Sequence, residues 1–182
     1  LQTDYGRTDA GQGNCDWCSS LEGTRPVFIW ENWSLCSLKD SKRKQENGTN
    51  MNTSYNLNGD WRLVCDDGRE FPARVPGDVH LDLMRAGVIP DPNIRMNFKE
   101  CRWIGDHTWS WHRDFPASPA PGKKFELVFD GLAYVAEIFV NGTLADKHKT
   151  MHRPCRLDVS KFLKDGENHL ELRLAPFDPS EA

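Results

Sequence analysis

The stretch TWSWHRDF at residues 108–115 alternates without a break. Trp109, Trp111, Arg113 and Phe115 fall on one side of an extended chain, and Ser110, His112 and Asp114 on the other. A period of two with large rings on one side is the mark of a strand that covers a core with one face. Downstream, the strand-like residues 134–140 and TL at 143–144 enclose Asn141-Gly142. Asn-Gly between β-formers predicts a tight hairpin, because both central residues of a type I′ turn need positive φ. Leu170, Leu172 and Leu174 alternate with charged neighbours and predict another strand. Upstream, residues 61–65 and 70–75 are strand-like and flank the turn signal Asp66-Asp67-Gly68.

A single helical stretch interrupts this pattern. Residues 78–86 place Val79, Leu83 and Ala86 near helical spacing, with Asp78 as cap and Gly87 as stop. A further helical turn is expected at residues 160–164, capped by Ser160. Short strands separated by turns, with one short helix, predict an all-β sandwich or jelly roll.

Composition narrows the function classes. The 182 residues leave no room within this chain for a (β/α)8 barrel, which takes about 250. A net charge of −4 argues against nucleic acid and membrane surfaces as partners. No apolar run reaches the roughly 18 residues of a membrane span. Of six cysteines, Cys15 and Cys18 form an isolated CxxC without a second close pair, so no metal site is expected. Cys65, Cys101 and Cys155 are widely spaced and read as reduced, partly buried thiols of a cytoplasmic protein. A secreted or lysosomal location is the alternative if the true amino terminus is missing. No cofactor is expected.

The composition changes near residue 50. Residues 1–50 hold scattered apolar side chains and end in a polar, charged run. They are read as an extension, disordered or translated from an over-extended reading frame, ahead of a domain at residues 51–182.

Several segments then occur in a telling order. They are VPGDVHLDL at residues 75–83, AGVIPDP at 86–92, RWI at 102–104, the aromatic strand at 109–115, LVFDGL at 127–132, Asn141-Gly142, MHR at 151–153 and Asp158-Val159. Taken one at a time they are joints and turns. As an ordered set over residues 55–182 they resemble the amino-terminal, galactose-binding-like domain of β-mannosidases of glycoside hydrolase family 2. Two departures occur: Asn97-Phe98 stands where the family shows Asn-Glu, and Ala133-Tyr134 changes the loop after Leu132.

The resemblance implies a jelly roll that does not itself break the glycosidic bond. The family's retaining mechanism uses two carboxylates roughly 5–5.5 Å apart, both glutamates on a barrel outside this domain. No catalytic residue is therefore expected here, and Glu100, Asp106 and Glu137 read as solvent-facing charge. The implied contribution is a wall of the substrate pocket, with Asn97, Arg102 and Trp103 as substrate-binding candidates. His152 and Arg153 are candidates for interdomain contact. The expected role is that of a non-catalytic part of an enzyme removing terminal β-D-mannose. A stand-alone carbohydrate-binding module is the alternative.

Overall fold

The structure, a computed structural model, describes residues 36–42, 53–132, 135–149 and 153–176. These residues form ten strands and one α-helix. In chain order they are β1 (Cys36–Lys42), β2 (Thr53–Asn56), β3 (Gly59–Cys65), β4 (Glu70–Val75), α1 (Val79–Arg85), β5 (Trp109–Ala117), β6 (Lys123–Phe129), β7 (Ala136–Val140), β8 (Thr143–His148), β9 (Cys155–Asp158) and β10 (Gly166–Leu174). The strands build two sheets, one in the order β2-β1-β6-β9 and one in the order β4-β3-β5-β10-β7-β8. Every pairing is antiparallel.

The core lies between the sheets and follows the alternation. Trp109, Trp111, Phe115 and Ala117 of β5 are buried, with Ser110 and His112 half-buried and Asp114 exposed on the other side. Leu63, Ile138, Leu170 and Leu172 meet Phe125, Leu127 and Phe129 of the smaller sheet in one apolar cluster. Fully burying one such leucine contributes roughly 1.5–3 kcal/mol. The indoles keep their polar atoms satisfied. Trp61 Nε1 donates to the Leu57 carbonyl at 2.7 Å and Trp109 Nε1 to that of Ile104 at 2.9 Å.

The expected helix is present. Asp78 caps it, its Oδ1 accepting from the N–H groups of His80 (2.8 Å) and Leu81 (3.1 Å). It closes at Ala86, one residue before Gly87. The hairpin at Asn141-Gly142 also forms, with φ of 52° and 78°. Asn141 does more than turn the chain. Its Nδ2 donates to Asn168 Oδ1 and to the Phe162 carbonyl, both at 2.8 Å, and its Oδ1 accepts from His169 N at 3.0 Å. Asn168, 1% exposed, completes a closed polar network with the backbone of Lys164 and Gly166.

One local expectation changes. The 3₁₀ turn Ser160–Phe162 has Val159 at its cap position with no side-chain bond. Asp158 Oδ1 takes the Ser160 N–H at 3.0 Å instead, while Ser160 Oγ accepts from Phe125 N at 2.8 Å. The hydroxyl thus ties the turn to β6, and the carboxylate one residue before Val159 serves the turn. In the amino-terminal stretch set apart as an extension, residues 36–42 form β1, whose backbone pairs with β2 and β6.

The six-stranded sheet has β4 and β8 at its edges. β4 carries the exposed Pro72 opposite Arg62, and β8 is mostly polar. Among the described residues no helix is long and apolar enough to cross a membrane.

Candidate functional site

Between α1 and β5 the chain makes two 3₁₀ turns, Asn97–Lys99 and Arg102–Asp106. Both are anchored from below. Cys101 and Ile104 are buried in the core, and Trp109 holds the Ile104 carbonyl. That leaves Arg102 exposed and Trp103 half-buried on the outer side of the second turn.

Trp103 has company that the sequence reading did not name. The Arg69 guanidinium lies over its ring, 4.6 Å from the centroid. His107 meets it edge-on at 5.8 Å, and Trp109 lies 6.0 Å away, tilted. Arg69 is held in place by Asp67, at 2.7 Å. The guanidinium holds the Asp67 carboxyl far below the usual carboxylate range. That face of the Trp103 ring is therefore already occupied by a cation. Asn97 sits on the preceding turn and donates through Nδ2 to the Asp91 carbonyl at 2.9 Å, so half of its amide is spent on shaping the loop. Arg153 is exposed just before β9, and His152 lies outside the described residues.

Beside this surface, Asp66 joins β3 to the start of β5. Its Oδ1 faces His107 Nδ1 at 2.6 Å, and its Oδ2 accepts from Thr108 N at 2.9 Å. The Thr108 N–H, followed by His107, lowers the carboxyl's pKa. Cys65 Sγ approaches the same Oδ1 at 3.5 Å. Burial raises the Cys65 thiol pKa.

A second group occupies the outer face of the six-stranded sheet. Asp114 Oδ1 lies 2.6 Å from His169 Nδ1, and His169 Nε2 lies 3.0 Å from His112 Nδ1. The carboxylate can only accept, so Nδ1 of His169 carries the proton that lies between them. The imidazoles stack at 5.2 Å, and burial lowers the pKa of His112. With Asp60, Arg62 and Arg113 they line an open cleft of about 250 Å3. Glu137 is half-buried and pairs with Lys147 at 3.4 Å and Arg173 at 4.0 Å, and Glu100 and Asp106 are exposed.

Signals for the missed residues existed in part. The turn at Asp66-Asp67-Gly68 and the alternation of His112 and Asp114 were readable. Which distant segment each would face depended on strand register: Cys65 opposite Trp109, and His169 opposite Asp114.

Comparison with known proteins adds a family. Residues 45–180 match the family described as glycosyl hydrolase 2 galactose-binding domain-like. The β-mannosidase of Rattus norvegicus is 38% identical over 123 residues, covering 66% of this chain and 14% of that protein. β-Mannosidase B of Thermothelomyces thermophilus is 37% identical over 106 residues, covering 57% and 12%. The chain thus spans about one seventh of the length of the curated relatives it matches. Among solved structures, the β-D-mannosidase of Dictyoglomus thermophilum is similar with 33% identity and a TM-score of 0.62, over 69% of this chain and 16% of that one. The exo-chitosanase of Amycolatopsis orientalis, 19% identical with a TM-score of 0.56 over 66% and 16%, shares the fold.

Proposed function

The chain belongs to the glycosyl hydrolase 2 galactose-binding domain-like family, and from that membership we propose that it serves as the non-catalytic lobe of a β-mannosidase. The reaction assigned to the whole enzyme is hydrolysis of terminal β-D-mannose at the non-reducing end of β-mannosides. The observation that carries this reading is the 38% identity to a β-mannosidase over 123 residues, 66% of this chain. The lobe comprises residues 51–182 together with β1, which pairs with them.

Its contribution is one wall of the sugar pocket. The turn carrying Arg102 and Trp103 supplies an aromatic ring and a cation on a rigid base, the combination that binds a sugar's C–H face and fixes its hydroxyls. Asn97 shapes the approach to that turn. His152 and Arg153 contact the catalytic domain. Three buried free thiols, Cys65, Cys101 and Cys155, favour a reducing compartment such as the cytoplasm.

A chimera tests the reading. The matching domain of the Dictyoglomus β-mannosidase is replaced by this one, and turnover of a chromogenic β-mannoside is measured. The chimera is expected to hydrolyse it, the isolated chain not at all. Trp103→Ala and Arg102→Ala in the chimera are expected to raise KM more than they lower kcat. A folded chimera indifferent to both changes would remove the pocket-wall role. Saturable binding of mannose at millimolar concentration by the chain alone would favour a stand-alone binding module.

A further inference from the structure

We propose that Cys65, Asp66 and His107 form a binding site for a thiophilic divalent cation of the zinc type. Three different ligand atoms come together from segments about forty residues apart: Cys65 Sγ, a carboxylate oxygen of Asp66 and a ring nitrogen of His107 all lie within 4.8 Å of one another. Thiolate, carboxylate and imidazole form a mixed donor set that suits zinc and not the oxygen-seeking calcium or magnesium.

The spacing is close to that of ligands around one ion. With zinc–ligand bonds of about 2.0–2.3 Å, donor atoms in a tetrahedral site stand about 3.3–3.6 Å apart. Sγ and Asp66 Oδ1 are 3.5 Å apart. Asp66 Oδ1 and His107 Nδ1 are closer, at 2.6 Å, because a proton joins them. The carboxylate oxygen therefore already receives the thiol proton and the imidazole proton at one point. A dication placed there uses the same lone pairs. Binding releases one proton, from the thiol. The imidazole keeps its proton, which moves from Nδ1 to Nε2.

The scaffold is rigid, as a metal site requires. Cys65 and Gly68 close the turn by Cys65 N to Arg69 O and Gly68 N to Cys65 O, both 2.9 Å. Asp66 N donates to Thr108 O at 3.0 Å, and Thr108 N returns a bond to Asp66 Oδ2 at 2.9 Å. The second carboxylate oxygen is thus held by backbone while the first stays at the cluster. Cys65 is buried, whereas the side chains of His107 and Asp66 are 30% and 44% exposed. An ion there keeps its fourth position toward water.

Cobalt(II) is the probe, because a thiolate on cobalt gives a charge-transfer absorption and a tetrahedral site gives intense visible bands. The full chain is used with Cys15, Cys18 and Cys36 replaced by serine, which removes the amino-terminal thiols. The expected result is a saturable spectrum at one equivalent. Cys65→Ser abolishes its charge-transfer part, His107→Ala weakens binding by at least about tenfold, and Cys101→Ser leaves it unchanged. Circular dichroism reports the fold of each variant. If Cys65→Ser does not fold, His107→Ala, at a half-buried position, decides alone. Absence of the band at millimolar cobalt, a band that survives Cys65→Ser, or unchanged affinity in His107→Ala would overturn the proposal.

Discussion

Trp109 Nε1 on β5 donates to the carbonyl of Ile104 at 2.9 Å, so the strand that builds the core also sets the height of the turn that carries Trp103. This bond adds to the burial of Cys101 and Ile104 in coupling core to site. Trp109→Phe keeps an aromatic ring in the core and removes the donor. It is expected to cost about 1–3 kcal/mol, from the unpaired carbonyl and the smaller ring. Its distinguishing sign is faster amide hydrogen exchange between residues 102 and 108 than across β10, measured by mass spectrometry.

Asp82 gives the fold a pH dependence. Burial raises its carboxyl to about 6 from an ordinary 3.8, while the Arg74 N–H, the Arg85 guanidinium and the Trp111 indole pull the other way. The folded chain thus holds this proton more tightly than the unfolded chain. Its contribution to stability is largest below about pH 4 and is lost as the pH rises through about 6, a change of about 2–3 kcal/mol. Asp82→Asn cannot titrate. Comparing urea unfolding of the two proteins from pH 4 to 7 should show the wild-type curve falling relative to the variant across that window. Parallel curves would mean that the carboxyl titrates alike in both states.

Asn168 has no solvent to fall back on. Its side chain serves Lys164 N, Lys164 O, Gly166 O and the amide of Asn141. Asn168→Leu is similar in size but leaves those groups without their partner. A loss of roughly 3–5 kcal/mol is expected in chemical denaturation. The hairpin at Asn141-Gly142 should lose amide protection first, because Asn141 is tied to the same network.

Two glycines separate two kinds of cost. Gly142 has φ of +78° and open space around an added Cβ. Gly142→Ala meets only the backbone penalty of about 1–2 kcal/mol. Gly77 has an ordinary φ, but an added Cβ would run into the carbonyl oxygen of Arg74. Gly77→Ala must move the joint between β4 and α1, and its melting temperature should fall below that of Gly142→Ala. The reverse order would mean that the joint yields easily.

The alternation over residues 108–115, the Asn141-Gly142 hairpin and the Asp78-capped helix were legible because each depends on neighbours in sequence. Local pattern failed where the deciding partner was remote. Ser160 looked like a cap from its position, yet its hydroxyl turned to Phe125, thirty-five residues away, and Asp158 took the cap. β1 shows little apolar alternation, and its place depends on its pairing with β2 and β6. For the site, Arg102 and Trp103 could be named from the ordered segments, whereas Arg69 over the ring required the β3–β5 pairing. Residues such as His112 and His169 each look unremarkable alone. Only antiparallel register makes them a pair.

The rim strand β4 carries Pro72, which has no N–H to offer a newcomer. A foreign chain trying to lengthen the larger sheet would meet a gap in the hydrogen-bond ladder at that position. The same residue that contributes nothing to the interior thereby discourages copies of this protein from zipping together side by side.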